Sequence, residues 1–216
     1  EKTKQINIGL DLGLLDNRIT LTAEYFRRKT DNLILKVPTP GSFGFNGVGS
    51  YQNAASMENK GFEFQAGYNK TKGDFTWNVT GNMAFIRNKV LKMNTPNATI
   101  DDGADQDFGA GAITRTAAGH PIQSYYGYIV EGIFQTDEEV QKSPVQNPGT
   151  DPAKSTAKGD LKFKDLNGDG KITDADRTYL GSYIPDFTYA LNLGGNYKNF
   201  DLSVFFQGVQ GNKIFN

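Results

Sequence analysis

The segment FTYALNLGGNYKNFDLSVFF, residues 187–206, decides the fold of this chain. Apolar and polar side chains alternate along it on both sides of the dipeptide Lys198-Asn199. The apolar positions are Phe187, Tyr189, Leu191 and Leu193 before the dipeptide, and Phe200, Leu202, Val204 and Phe206 after it. Residues two apart share a face of a strand, so this period predicts a β-hairpin with one apolar face and one polar face.

The same pattern occurs twice more in the chain. One hairpin is predicted from residues 6–14 and 19–25, joined across Leu15-Asp16-Asn17, and another from residues 62–68 and 75–85, joined across residues 70–74. The sequence therefore predicts an all-β protein with about six strands in three hairpins.

Three features favour strands that cross a membrane. With the residues that flank these apolar positions, each run is expected to span about nine to eleven residues, which a tilted strand needs to cross the hydrocarbon layer, whereas strands of soluble domains average about five or six. The opposite faces are rich in Asp, Glu, Asn, Gln and Thr, as expected for a water-filled lumen. Aromatic residues stand at the ends of the runs, where a girdle would meet the membrane interfaces: Tyr25, Phe62, Tyr68, Phe75, Phe85, Phe187, Tyr197 and Phe200.

The predicted fold is a partial wall of an antiparallel transmembrane β-barrel with long extracellular loops. Six strands are too few to close a barrel, since the small barrels have eight, so the remaining strands are expected to come from elsewhere. A soluble β-sandwich shows the same alternation. The alternative is therefore an extracellular β-sandwich, stabilised through the acidic stretch at residues 165–176 and acting as an adhesin or glycan-binding module.

Composition excludes several other classes. The 216 residues contain no apolar run near the eighteen that a transmembrane helix requires. A net charge of −1 offers no basic surface for phosphate backbones, so nucleic acid is not an expected partner. The chain has no cysteine, and its single histidine, His120, stands in a glycine-flanked turn. No catalytic constellation is recognisable, and an enzyme is not expected.

Two long connections separate the hairpins. Residues 31–59 contain Pro38, Pro40 and a glycine-rich stretch, and are predicted to form an irregular extracellular loop. Residues 88–185 form a connection far longer than ordinary loops, which is expected to fold on its own or to dock on a partner. Within it, Thr136 and Glu139 match a capping box and predict a short helix over residues 137–142.

The most specific local motif is DLNGDGKITDAD, residues 165–176. It matches the EF-hand calcium loop, with oxygen-bearing side chains at positions one, three and five, glycine at six and a carboxylate at twelve. The metal ligands that this pattern predicts are Asp165, Asn167, Asp169, Lys171 through its carbonyl, Thr173 and Asp176, with Ile172 as the hydrophobic anchor. A metal-free Asx turn is the alternative.

The residues before this loop, 160–164, alternate like a strand rather than forming the entering helix of an EF-hand. A structural Ca²⁺ that fixes the long loop is therefore expected rather than a calcium sensor. Tyr125, Tyr126 and Tyr128 form a further cluster, for which packing within the loop is favoured over stacking on a sugar ring. The sequence identifies no substrate-binding residue.

Several segments, in this order, carry a resemblance to a known family. They are residues 53–63 (NAASMENKGFE), Tyr126-Gly127-Tyr128 with EGIFQ at 131–135, residues 159–177, Gly181 with IPDFTY at 184–189, and FFQGV at 205–209 with Gly211-Asn212. The chain resembles the carboxy-terminal half of SusC/RagA-type TonB-linked outer-membrane proteins over nearly its whole length.

The resemblance implies part of a large outer-membrane barrel that imports glycans or peptides with energy delivered through TonB. It also implies a SusD-like lipoprotein on the extracellular loops and contact with outer-membrane lipid. Measured against the family pattern, this chain is expected to lack three parts, namely the TonB-binding segment, the plug and the final strands. The whole chain, residues 1–216, is then one partial barrel domain, including the extracellular loops 31–59 and 88–185.

Overall fold

The structure is a computed structural model that describes residues 1–37, 50–103, 112–146 and 155–215. Its largest element is one antiparallel sheet of six strands, here called the wall sheet. In chain order these strands are β1 (Lys2–Leu14), β2 (Ile19–Val37), β3 (Ser50–Lys70), β4 (Phe75–Met93), β11 (Phe187–Tyr197) and β12 (Phe200–Gln210). Their order in the sheet is β1-β2-β3-β4-β11-β12, so the predicted hairpins lie side by side.

The three hairpin turns are short and lie at one end of the wall sheet, here called the turn end. Leu15, Asp16 and Asn17 adopt left-handed backbone conformations with φ of 54°, 57° and 61°, and Lys198 of the last turn has φ of 53°. The opposite end, from which the long connections leave, is called the loop end. The predicted hairpins and the positions of their turns are confirmed.

The strands β2, β3 and β4 are about twice as long as predicted, with 19, 21 and 19 residues. The prediction of irregular chain over residues 31–59 is therefore wrong at both ends of that range, while residues 38–49 lie outside the described residues. The register shifts between Thr30 and Leu33, and Asn32 between them has φ of 55°. This irregularity breaks the alternation, although the backbone pairing continues beyond it.

The extended strand ends carry a small core. Ala55 and Val90 are fully buried there beside Met93. The side chains that pack against these three are Leu33, Leu35, Ala98, Ile100 and Ile122. The edge of β4 is paired here as well, because the N–H of Val90 donates to the carbonyl of His120 and the N–H of Gly119 donates to the carbonyl of Val90.

Residues 101–115 and 123–181 cluster into a second compact unit, here called the loop unit. The elements between β4 and β11 are short: β5 (Ile100–Asp102), β6 (Thr114–Thr116), β7 (Ser124–Gly127), β8 (Val130–Ile133), helix α1 (Asp137–Lys142), β9 (Leu161–Phe163), a 3-10 helix (Asp174–Asp176) and β10 (Thr178–Gly181). Strands β10, β7, β6 and β5 form one small sheet in that order, and β8 pairs with β9.

Helix α1 confirms the prediction from the capping pattern. The Thr136 hydroxyl accepts a hydrogen bond from the N–H of Glu139 at 3.2 Å, and a Glu139 carboxylate oxygen accepts one from the N–H of Gln135. These two contacts cap N–H groups that have no partner inside the helix, and the Gln135 contact holds the pKa of Glu139 below its usual value. No helix in the described part of the chain is long and apolar enough to span a membrane.

Candidate functional site: the two faces of the wall sheet and the acidic loop

One face of the wall sheet is apolar across all six strands. The register aligns side chains of the same face into rows, such as Leu12–Leu21–Ala66–Gly81–Leu191–Phe206 and Leu14–Ile19–Tyr68–Val79–Leu193–Val204. Apolar side chains of this face are exposed to solvent on every strand: Leu12 and Leu14 in these rows expose 43% and 47%, Phe206 exposes 54%, and Ile8 on the same face of β1 exposes 65%. A sandwich would bury this face under a second sheet, so the exposure contradicts the sandwich alternative for the described residues.

The other face of the wall sheet is polar. One of its rows runs Asp11–Thr22–Gln65–Asn82–Ala190–Gln207, and the Thr22 hydroxyl donates to the Asp11 carboxylate at 2.7 Å. The two faces therefore prefer different solvents. This arrangement suits a wall that separates lipid from water.

Aromatic side chains mark both ends of the apolar face. Toward the loop end, Tyr25, Phe62, Phe85 and Phe187 occupy one row, with ring centroids 5.0 Å apart for Tyr25 and Phe62 and 5.6 Å apart for Phe85 and Phe187. Toward the turn end the aromatic residues are Tyr68, Trp77, Phe75, Tyr197 and Phe200. On β11 the two bands are ten residues apart, about 33 Å along the strand or about 25 Å after a tilt near 40°. This separation matches the apolar height of outer-membrane barrels.

The predicted calcium loop has the expected backbone turns. Gly168 and Gly170 have φ of 74° and 80°, which side-chain-bearing residues rarely adopt. The Asp165 carboxylate accepts hydrogen bonds from the N–H groups of both glycines, at 2.7 and 2.8 Å. The carboxylate at position one therefore fastens the sharp turn that the glycine at position six makes possible.

Asp176, at position twelve, fastens the other end of the loop. It is fully buried, and its carboxylate accepts hydrogen bonds from the N–H groups of Thr173, Leu166 and Asn167, at 2.8, 2.9 and 3.4 Å. The hydrogen bond from Thr173 in particular lowers the pKa of Asp176 below its ordinary value of 3.8, because it favours the charged form. The carboxylate closes the loop by joining residues 166 and 167 to residue 173.

The remaining predicted ligands lie in the same loop. Asn167 donates through Nδ2 to one oxygen of Asp169 at 3.0 Å, and the other oxygen of Asp169 accepts from the N–H of Lys171. Lys171 forms a parallel bridge with Val145, and the N–H of Ile172 donates to the Val145 carbonyl at 2.9 Å. Among the described residues, no three His, Cys, Asp or Glu side chains are gathered as a metal would require. The carboxylates of Asp165, Asp169 and Asp176 accept hydrogen bonds from the loop's own donors.

The tyrosine cluster packs within the loop unit. Tyr126 lies 5.2 Å from Tyr179 between ring centroids, and Tyr128 lies 5.3 Å from Phe163. The Tyr128 hydroxyl makes a long contact of 3.4 Å with Asp174. These contacts support the packing interpretation of the cluster.

Two arginines organise the loop unit, although no motif in the sequence predicted their contacts. Arg115 binds Asp101 through two hydrogen bonds of 2.6 and 2.7 Å, which raise its pKa, and its guanidinium stacks 3.7 Å from the Tyr126 ring centroid. Arg177 donates to the carbonyls of Ala112 and Tyr126. Because these partners are far apart in the sequence, spacing alone could not have found them.

Comparisons with known proteins agree with this architecture. Residues 1–211 match the model of the family described as TonB dependent receptor-like, beta-barrel. TonB-dependent receptor P3 of Formosa agariphila is 36% identical over 218 residues, covering 100% of this chain and 21% of the relative. TonB-dependent receptor SusC of Bacteroides thetaiotaomicron is 29% identical over 222 residues, covering 100% of this chain and 20% of the relative.

Among solved structures, the RagAB peptide transporter matches with a TM-score of 0.68 and 20% identity, covering 95% of this chain and 20% of that one. This match supports the fold of the wall sheet. The chain spans about a fifth of the length of the curated relatives it matches. Through the match over residues 1–211, the chain belongs to the TonB dependent receptor-like β-barrel family.

Proposed function

We propose that this chain forms part of the wall of an outer-membrane TonB-dependent importer of large nutrients, either glycans or peptides. The observation that carries the proposal is the continuous apolar face of the wall sheet, which is exposed on all six strands and bounded by two aromatic bands. Lipid would cover this face in the assembled protein, and the polar face would line the lumen.

The proposed orientation follows from the two ends of the wall sheet. Outer-membrane barrels have short turns on the periplasmic side and longer loops outside the cell. The turn end would therefore face the periplasm, while the loop end and the loop unit would face the exterior. A SusD-like lipoprotein would bind on that side, and TonB would act through parts of the protein beyond this chain.

The proposed substrate classes come from relatives. The matched structures are described as a peptide transporter and a peptide importer, and SusC-type relatives support an importer of this general kind. The described residues are proposed to contribute wall and loops rather than catalysis.

We also propose that the acidic loop binds one structural Ca²⁺ through Asp165, Asn167, Asp169, the Lys171 carbonyl, Thr173 and Asp176. Support comes from the sequence pattern and from the left-handed turns at Gly168 and Gly170. Binding would turn carboxylate oxygens from backbone donors toward the ion. The metal would cancel the clustered negative charge and hold the loop closed.

Calcium titration of the intact protein after chelator treatment tests the metal proposal. Wild type is expected to bind one ion, with slower proteolysis of the loop unit, and Asp169→Asn is expected to weaken both effects. Asp174→Asn is the matched control, because the Asp174 side chain is 92% exposed and is not a predicted ligand. Equal calcium responses of the Asp169 and Asp174 variants, or no response of wild type, would contradict the proposal.

Cell fractionation tests the transporter proposal. An antibody against the loop unit is expected to detect a band several times larger than 23.7 kDa in the outer membrane. The band should migrate faster when the sample is not boiled, because closed barrels resist detergent. A soluble or secreted band near 24 kDa would reject the transporter proposal.

A further inference from the structure

Lysine and arginine are concentrated on one side of the wall sheet, just beyond the aromatic row at the loop end. Two residues further along the strands from that row, on the same face, the register aligns Arg27, Lys60 and Arg87. Two residues further still, it aligns Lys4, Lys29 and Lys89, with Glu58 between the last two. These two rows are here called the basic rows.

The polar face has a different composition at the same height. The row there between the two basic rows consists of Gln5, Arg28, Asn59 and Asn88. It therefore has one cation where the apolar side has six. The chain as a whole has a net charge of −1, so the basic rows do not reflect overall composition. At this height the cations of the sheet are therefore concentrated on the side of its apolar face.

The ion pairs of the basic rows leave much of their positive charge accessible. Glu58 is buried and pairs with Arg27 at 2.6 Å, with Lys60 3.9 Å away. Lys29 pairs with Asp31 and Arg87 with Asp186. Three carboxylates thus face six cations. The side chains of Arg27, Lys60 and Arg87 remain 52%, 53% and 61% exposed.

The height of the basic rows matches the headgroup layer of a bilayer. Side chains two residues apart on one face are separated by about 7 Å along a strand, or about 5 Å along the membrane normal when the strand is tilted. The two rows therefore lie about 5 and 10 Å beyond the aromatic row. The polar layer on each side of a bilayer is about 5–8 Å thick, so the first basic row lies within it and the second lies at about its outer edge. Cations at this height meet the phosphates of the lipid headgroups.

We propose that the basic rows form a binding surface for the phosphate groups of anionic lipids in the outer leaflet. Arg27 and Arg87 present planar donor sets that suit phosphate oxygens, and the lysines add flexible point charges. The bound lipids would fix the height of the wall in the membrane. This inference rests on the proposed membrane orientation of the wall sheet.

Native mass spectrometry of the intact, detergent-purified protein tests the inference. The probe is phosphatidic acid, compared with phosphatidylcholine of the same acyl chains. Wild type is expected to prefer phosphatidic acid by about tenfold or more, at the strength typical of several cations near a charged surface. The triple variant Lys60→Gln/Arg87→Gln/Lys89→Gln is expected to lose this preference. It keeps Arg27, so that the buried Glu58 retains its closest partner.

Two further variants control for fold and for general charge. Lys60→Arg/Arg87→Lys/Lys89→Arg retains the positive charges and is expected to retain the preference. Arg28→Gln/Lys72→Gln/Lys198→Gln removes three cations elsewhere and is also expected to retain it. The inference would be overturned if Lys60→Gln/Arg87→Gln/Lys89→Gln and Arg28→Gln/Lys72→Gln/Lys198→Gln showed equal preference for phosphatidic acid. It would also be overturned if inorganic phosphate alone bound as strongly as phosphatidic acid.

The same samples separate this inference from the proposed function. A folded, heat-modifiable barrel in the outer membrane with no preference for phosphatidic acid would overturn the lipid site alone. Wild-type protein that is absent from the outer membrane would overturn both proposals.

Discussion

In the wall sheet, Ile8 and Leu10 expose 65% and 57% of their surface, whereas in the loop unit Phe134 exposes 2% and Asp176 none. The wall sheet thus leaves its apolar side chains outside, and the loop unit buries an aromatic ring and satisfies a buried carboxylate with backbone donors. The difference indicates that the apolar face of the wall sheet is suited to lipid and the loop unit to water. Apart from the small core around Val90, the apolar face of the wall sheet would gain hydrophobic stabilisation only where lipid covers it.

The largest expected effect comes from the buried aromatic residue of the loop unit. Phe134→Ala is expected to cost about 3–5 kcal/mol of local stability, because it leaves a cavity at a fully packed position. Hydrogen exchange in the intact protein would show faster exchange across residues 123–146, with β11 and β12 unchanged. Ile133→Ala is the control, since Ile133 is 50% exposed and should change stability by no more than about 0.5 kcal/mol. Equal losses of stability in the two variants would contradict the claim that the loop unit is stabilised by its buried side chains.

The next largest effect tests which face of the wall sheet meets lipid. Leu191 and Asn192 are neighbours on β11, point to opposite faces and lie midway between the aromatic bands. Leu191→Arg is expected to cost about 2–4 kcal/mol, because the charge would stand at the bilayer midplane, and Asn192→Arg much less. Denaturant titration of the intact protein in lipid vesicles measures both values. A larger cost for Asn192→Arg would reverse the assignment of the faces.

The buried carboxylate of Asp176 predicts that the stability of the loop unit depends on pH. The pKa of Asp176 is lower in the folded state than its ordinary value of 3.8, so its ionised form stabilises the loop unit above that pH. This contribution is lost as the pH falls through the folded-state pKa. In the presence of a chelator, Asp176→Asn is expected to open the loop unit at neutral pH, with a deficit that shrinks below pH 3.8.

Proteolysis of the loop unit across a pH series measures this deficit. Asp174→Asn serves as the control, because Asp174 is exposed and its carboxylate makes two long contacts, 3.4 Å from the Tyr128 hydroxyl and 4.0 Å from the Arg177 guanidinium. A deficit for Asp176→Asn that persists unchanged into strong acid would show that the charge of Asp176 is not what stabilises the loop.

The smallest effect concerns the cap of helix α1. Thr136→Ala is expected to cost about 1 kcal/mol, because the hydroxyl that accepts from the Glu139 N–H is lost. Thr136→Ser keeps the hydroxyl and should be close to neutral. Exchange rates of the amides in residues 137–142 report the difference, and identical rates in the two variants would refute the role of the cap.

The sequence predicts the parts of the fold that follow local rules. Alternation located the hairpins, and turn residues such as Lys198 marked their ends. Alternation failed beyond Thr30, where Asn32 interrupts the register, so the loop-end extensions of β2 and β3 were missed. The strands of the loop unit have only three or four residues, too few to show a period.

In the candidate sites as well, features set by local spacing could be predicted and features set by strand register could not. The spacing of the acidic loop predicted its turns at Gly168 and Gly170, and calcium binding there stays a prediction. The basic rows could not be predicted from spacing, because Arg27, Lys60 and Arg87 lie on different strands and become neighbours only through register. Long-range pairing carries information that a local pattern lacks.

Site-directed spin labelling of β11 tests most directly the claim that the apolar face meets lipid. Single labels at residues 190, 191, 192 and 193 of the intact protein in bilayers would be exposed to oxygen, which concentrates in lipid, and to a water-soluble nickel chelate. Labels at 191 and 193 are expected to collide mainly with oxygen, and labels at 190 and 192 mainly with the chelate. Labels at 191 and 193 that are shielded from both reagents, or an alternation with the opposite phase, would contradict the account.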